Sequence, residues 1–280
     1  MKKREGIIVF GVGALLLLLF TFTDLNISMA IAVKPMFARL LEVVGEVPFT
    51  VLTIMGCAVL IRFRSRDHIV KNVSALLGFG LLFVLFAVMG GFMTWNYITR
   101  NFGEAPKAII PVIGALMAAA GVWLTVKVPE EKRDKAVAFG VTALLYFVTV
   151  IIVMNSLKTV WGRMRFREMT DPMMEFTRWY QIQNRGGFAD EFASFPSGHS
   201  MNSAGVILLL LFPGIYPALE GKENIFRAIV YIWCLVVGSS RVFMGAHFAS
   251  DVTVGILISL ALFELVSFLV EKVRKKQACG

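Results

Sequence analysis

The sequence predicts an all-α fold, a polytopic transmembrane helix bundle with about eight spans. Three observations favour it. Hydrophobic residues make up 57% of the 280 residues and charged residues only 17%, whereas soluble domains carry roughly a quarter charged residues. The mean hydropathy is +0.73. The apolar residues are also grouped in runs close to the length of about 20 residues that crosses a bilayer as a helix.

Eight apolar segments are candidate spans. They lie near residues 6–23, 47–61, 73–95, 108–128, 136–157, 201–218, 226–240 and 252–270, and the second and seventh are short. Pro48, Pro106, Pro129 and Pro217 lie near the expected ends, where a missing amide donor is tolerated best. The sequence shows no internal repeat and no low-complexity linker. We therefore expect one integral membrane domain over residues 1–280.

Basic residues concentrate in the segments on one side of this bundle. An even number of spans places both termini on that side. The basic groups lie within residues 2–4, 62–71, 127–135, 222–227 and 272–276. Loops rich in Lys and Arg are typically cytoplasmic, so we expect this side to face the cytoplasm. The net charge of +9 then reflects these loops and anionic headgroups, and we expect no nucleic-acid partner.

The N-terminal segment also has features of a secretory signal, namely basic residues, an apolar run and Ala30-x-Ala32. The apolar run is long enough to span a bilayer. The small-residue site lies well beyond it, past the polar residues Asp24 and Asn26. We therefore expect an uncleaved first helix.

Three polar patches, far apart in the chain, carry residue types that handle phosphate. They are Lys158-x6-Arg165, Phe195-Pro196-Ser197-Gly198-His199, and Ser240-Arg241-x5-His247-x3-Asp251. Arginine and lysine bind phosphate oxygens, and positioned cations stabilise a transferring phosphoryl group. All three patches fall on the face opposite the basic loops, which we expect to be extracytoplasmic.

The third patch places a histidine and a carboxylate four residues apart at the start of the last span. On a helix, His247 and Asp251 would share one face. A carboxylate on one imidazole nitrogen fixes the tautomer and leaves the other nitrogen as a nucleophile. In the second patch, Gly198 allows close backbone approach beside His199, and amides at a helix start favour an anion.

Together and in this order, the patches resemble the three signature motifs of the type 2 phosphatidic acid phosphatase superfamily, in its bacterial integral-membrane branch. The resemblance covers residues 158–251, in the C-terminal helices, and the first five spans agree with it by hydropathy alone. It implies metal-free hydrolysis with no cofactor. His247 would form a phosphohistidine, Asp251 would support it, and His199 would protonate the leaving oxygen and then activate water. The phosphate would be bound by Lys158, Arg165, Ser197, Gly198 and Arg241.

One position departs from the family pattern, since Phe166 stands where the family usually has proline. Arg163 and Arg167 flank Arg165 as extra cations, and we hypothesise that one of them contacts a second phosphate. Residues 169–195 are rich in aromatic side chains and contain the pair Gly186-Gly187. This segment is either an interfacial loop, which we favour, or a lid that selects substrate.

The sequence therefore predicts a multi-pass cell-membrane lipid phosphatase with an extracytoplasmic active site. Undecaprenyl diphosphate, phosphatidic acid, phosphatidylglycerol phosphate and diacylglycerol diphosphate are all compatible substrates. A lipid phosphotransferase is an alternative, because an alcohol can replace water in the second step. A transporter or structural membrane protein with a degenerate phosphatase site is another, although every motif position that carries chemistry is filled.

Overall fold

The computed structural model describes residues 3–185 and 189–279. Of the described residues, 80% are helical and none is in a strand. Eight helical segments are long and apolar enough to cross a membrane. Both the all-α fold and the number of spans are as predicted, and the chain is a multi-pass membrane protein.

The described elements are α1 (Lys3–Ile31), α2 (Met36–Val44), α3 (Val47–Arg62), α4 (Ile69–Phe102), α5 (Ile109–Val126), α6 (Arg133–Trp161), α7 (Pro172–Glu175), α8 (Gly198–Ser203), α9 (Phe212–Ile215), α10 (Glu223–Phe243) and α11 (Ala249–Cys279). Helices α2 and α3 together form the second span. The sixth span is α8, a 3₁₀ segment over Ala204–Leu211, and α9.

The second span is longer than the sequence predicted, because α2 adds Met36–Val44 before α3. Polar residues in α2 hid it from the hydropathy pattern. Ala38 and Glu42 are four residues apart and both buried, so they lie on the face that packs inward. The seventh span is also longer than predicted, since α10 is 21 residues long.

The chain forms two compact units that are interleaved in sequence. The first comprises Met1–Gly45, Thr149–Ala204 and Tyr231–Glu264. The second comprises Glu46–Val148, Gly205–Val230 and Leu265–Gly280. All three phosphate-type patches belong to the first unit. The expectation of a single domain stays a prediction.

Within the second unit, α3, α4 and α5 pack closely around a small apolar core. That core is formed by Ile54, Cys57, Phe86, Ala87 and Met117. Small residues let α4 and α5 approach each other, as in other membrane helix pairs. A Cβ atom on Gly91 would lie 2.3 Å from the carbonyl oxygen of Ile110, so larger residues do not fit there.

Candidate active site

The three patches lie at helix ends of the first unit. Helix α6 ends at Trp161 and leads through Gly162 (φ +60°) to Arg165. Helix α8 begins at Gly198. Between α10 and α11, the chain turns through Gly245, whose φ of +61° favours glycine. Each patch therefore sits where a span meets a connecting segment.

Direct hydrogen bonds join the patches to one another. The Lys158 ammonium donates to the carbonyl of Ala193, at 3.1 Å. Arg165 Nη1 donates to the carbonyl of Ala246, also at 3.1 Å. The amide of Ser197 donates to the carbonyl of Asp251, at 3.0 Å. The structure thus brings together residues that are up to 81 positions apart.

The His247 imidazole is held in one tautomer. Its Nδ1 atom lies 2.6 Å from the carbonyl oxygen of Ser194. A carbonyl only accepts hydrogen bonds, so Nδ1 must carry the proton and Nε2 must carry the lone pair. Nε2 lies 3.2 Å from Arg165 Nη1. The unprotonated nitrogen of His247 therefore faces a cation of the first patch.

Burial and positive charge keep His247 neutral. Its side chain is 2% exposed. Burial, followed by the nearby charges of Arg165, Lys158 and Arg241, holds the pKa of His247 well below its usual value near 6.5. The neutral imidazole is the nucleophilic form. The three cations expected to bind phosphate are thus all close enough to act on this histidine.

Asp251 is placed differently from expectation. Helix α11 begins at Ala249, so His247 lies in the preceding turn and shares no helix face with Asp251. The Asp251 carboxylate accepts hydrogen bonds from the Ser194 hydroxyl (2.6 Å) and the Phe248 amide (2.9 Å). It also pairs with Arg163. Asp251 therefore contacts Ser194, and the Ser194 carbonyl accepts the hydrogen bond from His247 Nδ1.

Arg163 is a buried structural cation rather than a free one. Its side chain is fully buried. Its Nη2 atom lies 3.1 Å from the Asp24 carboxylate, and its Nη1 atom binds both Asp251 and Ser250. Its Nε atom donates to the carbonyl of Thr177. This placement does not fit the hypothesis that Arg163 contacts a second phosphate, because each nitrogen already has a protein partner.

Arg165 and Arg167 pair with exposed carboxylates, unlike Arg163. Arg165 is bound by Asp190, whose side chain is 66% exposed, with Nη2 to Oδ1 at 2.7 Å. Arg167 pairs with Glu168 and with the same Asp190 carboxylate. The exposed Asp190 carboxylate therefore pairs with two arginines, Arg165 and Arg167.

The second patch is packed tightly against α6. Ser197 is the N-cap of α8 and accepts a hydrogen bond from the Ser200 amide. A Cβ atom on Gly198 would lie 2.6 Å from the Met154 sulfur and 3.3 Å from Lys158 Cε. Gly198 therefore lies in close contact with the Lys158 side chain. His199 is 6% exposed.

Much of the aromatic segment 169–195 is tied to neighbouring helices. The Trp179 indole donates to the Thr21 hydroxyl in α1, at 3.0 Å. The Trp161 indole donates to the carbonyl of Trp179, at 2.6 Å. Phe176 packs edge-on against Phe248. Gly186, Gly187 and Phe188 lie outside the described residues, so the choice between loop and lid stays a prediction.

Sequence reasoning missed three residues of this network, namely Asp24, Glu42 and Ser194. Intramembrane carboxylates are functional candidates by default, but Asp24 and Glu42 lie just outside the spans predicted from the sequence. Only the longer spans of the structure include them. Ser194 contributes a backbone carbonyl, which any residue type supplies, so no sequence signal marks it.

The fold and this site define a polytopic membrane protein with a cationic, histidine-bearing centre. Residues 139–275 match the family model of the PAP2 superfamily. The matched region contains all three patches and the C-terminal helices, and the match confirms the resemblance drawn from the motifs.

Among curated proteins, the chain is similar to two phosphatidylglycerophosphatases. It is 38% identical to phosphatidylglycerophosphatase B of Bacillus subtilis over 84 residues, which cover 29% of this chain and 41% of that protein. It is 34% identical to phosphatidylglycerophosphatase B of Escherichia coli over 94 residues, or 32% of each chain. The chain thus spans less than half the length of these relatives. No solved structure gives a significant match.

Proposed function

We propose that this chain is an integral-membrane lipid phosphatase that hydrolyses a lipid phosphate or diphosphate through a phosphohistidine. The observation that carries this proposal is the neutral His247, whose unprotonated Nε2 lies beside Arg165. The match to the PAP2 superfamily model and the similarity to two phosphatidylglycerophosphatases support the substrate class. A lipid substrate suits a site at the ends of membrane spans.

The reaction would proceed in two steps. In the first, His247 Nε2 attacks phosphorus, the bond to the lipid oxygen breaks, and His199 donates a proton to that oxygen. In the second, His199 takes a proton from water, the water oxygen bonds to phosphorus, and the nitrogen–phosphorus bond breaks. Inorganic phosphate and the dephosphorylated lipid are the products.

Cations around His247 would stabilise the charge on the phosphoryl oxygens. Arg241 is 3% exposed, and its Nε and Nη1 atoms make no hydrogen bond within the described part of the chain. A buried guanidinium with unused donors suits a phosphate, which accepts several of them at once. Lys158 and Arg165 would supply the remaining positive charge. Ser197 and Gly198 would complete the phosphate-binding site.

The substrate assay is phosphate release by purified protein in detergent and excess EDTA. We expect EDTA-resistant release from at least one of undecaprenyl diphosphate, phosphatidic acid and phosphatidylglycerol phosphate, with His247→Ala protein as the blank. Release that EDTA abolishes would contradict a metal-free mechanism. Transfer of phosphate to an added alcohol in preference to water would instead indicate a phosphotransferase.

We place the active site on the extracytoplasmic face of the cell membrane, because the basic loops lie on the other side of an eight-span chain. A cysteine-free background would carry either Met174→Cys, which is 82% exposed in the segment before the second patch, or Glu131→Cys in the basic loop before α6. We expect an impermeant maleimide to label only the first in intact cells. Labelling of Glu131→Cys alone would reverse the orientation.

A further inference from the structure

Two helices that precede the family-matched region reach into the site. Helix α1 contributes Asp24 and helix α2 contributes Glu42, while the match begins only at residue 139. Both carboxylates are buried, at 1% and 0% exposure. Buried carboxylates are stable only when they are paired, and each of these two pairs with an arginine of the site.

Asp24 is linked to the nucleophile by a continuous set of contacts. Its carboxylate binds Arg163 Nη2 and both the amide and the hydroxyl of Ser250. Arg163 in turn pairs with Asp251. Asp251 accepts from the Ser194 hydroxyl, and the Ser194 carbonyl accepts from His247 Nδ1. A carboxylate of the first span thereby holds the group that fixes the imidazole.

Glu42 contacts Arg241, which is not among the residues that link Asp24 to His247. Its Oε1 atom accepts a hydrogen bond from Arg241 Nη2, at 2.9 Å. The Arg241 Nε and Nη1 donors make no hydrogen bond to the described residues. Glu42 thus fixes one edge of the guanidinium and leaves donors on the rest of it for an anion. The same helix ends at Gly45, where a Cβ atom would lie 2.7 Å from His199 Nε2.

We propose that Asp24 and Glu42 are positioning residues, through which the N-terminal helices α1 and α2 complete the active site. Asp24 orients His247 by way of Arg163, Asp251 and Ser194. Glu42 orients Arg241 for phosphate. This inference rests on the proposed phosphatase function for its effect on turnover. The geometry it describes can be measured without turnover.

The test separates the two roles with isosteric variants. In Asp24→Asn we expect kcat to fall about 10²-fold, the loss that follows a misplacement of roughly 1 Å, while inhibition by inorganic phosphate is retained. In Glu42→Gln we expect the inhibition constant of inorganic phosphate to rise about tenfold or more. Asn26→Ala in α1 and Arg39→Gln in α2 are matched controls, expected to change either value less than threefold.

A spectroscopic measurement distinguishes positioning from general damage. In protein labelled with ¹⁵N-histidine, the His247 signals are identified by their loss in His247→Gln. We expect Asp24→Asn to alter the Nδ1–H signal and Glu42→Gln to leave it in place. If Asp24→Asn fails to fold, Ser194→Ala, which removes only the hydroxyl bond to Asp251, should give the same change.

Three results would overturn the proposal. They are an unchanged His247 signal in both Asp24→Asn and Ser194→Ala, an equal loss of phosphate inhibition in both carboxylate variants, or control variants as impaired as the test variants. Wild-type protein that releases no phosphate from any lipid would contradict the proposed function instead. In that case, the His247 NMR signals and the binding of inorganic phosphate would still test whether Asp24 and Glu42 are positioning residues.

Discussion

Replacing His247 by alanine is expected to lower phosphate release from a lipid phosphate by about 10⁴-fold or more, because losing a covalent nucleophile removes the whole catalysed route. His199→Ala should lower it by about 10²–10⁴-fold, the usual contribution of a general acid and base. The measurement is initial-rate phosphate release in detergent. His68→Ala, which changes an exposed histidine outside the site, is the matched control.

The use of an activated aryl phosphate as substrate distinguishes the roles of His247 and His199 further. Its leaving group needs no proton, so His199→Ala protein should still form the phosphoenzyme but hydrolyse it slowly. We expect an acid-labile phosphoryl label on His199→Ala protein and none on the double variant His199→Ala/His247→Ala. A label that persists without His247 would contradict its role as the nucleophile.

Removal of Arg163 is expected to give the largest loss of stability. Arg163→Ala leaves the carboxylates of Asp24 and Asp251 buried without their shared cation. Breaking a buried ion pair in this way lowers the free energy of unfolding by about 3–5 kcal/mol. The measurement is the thermal unfolding midpoint in detergent, followed by tryptophan fluorescence.

Two further variants define the cause of that loss. Arg178→Ala removes an exposed arginine of the adjoining loop, and should change the free energy of unfolding by no more than about 0.5 kcal/mol. Arg163→Lys keeps the charge but lacks the planar fork that spans two carboxylates, so it should lie between Arg163→Ala and wild type. An unfolding midpoint equal to wild type in Arg163→Ala would show that the cluster contributes nothing to stability.

The spans were predictable because each is a long apolar run, and a run of that length crosses a bilayer as an α-helix. Helix α2 was not predicted, because Arg39 and Glu42 interrupt the run of apolar residues in this segment. The three patches were predictable as a group because together and in this order they resemble the signature motifs of the type 2 phosphatidic acid phosphatase superfamily. The contacts between the patches were not predictable, because the sequence alone does not show which atoms of distant segments meet.

Arg163 illustrates the limit most clearly. It is one of two arginines that flank Arg165, and nothing in the sequence separates it from Arg167. Only the fold reveals that Asp24, which is 139 residues away, occupies its guanidinium. The tautomer of His247 was expected from a carboxylate and is set instead by a backbone carbonyl, which leaves no trace in composition or spacing.

The carbonyl of Ser194 also bears on how long a phosphorylated His247 would survive. With phosphorus on Nε2 and hydrogen on Nδ1, the ring is a cation. A neutral carbonyl accepts the hydrogen bond but does not cancel this charge, whereas a carboxylate partner would. The ring therefore remains a good leaving group, and the nitrogen–phosphorus bond stays easy to break. In the proposed mechanism such an intermediate would be short-lived in the presence of water, and the histidine would be quickly restored for the next lipid.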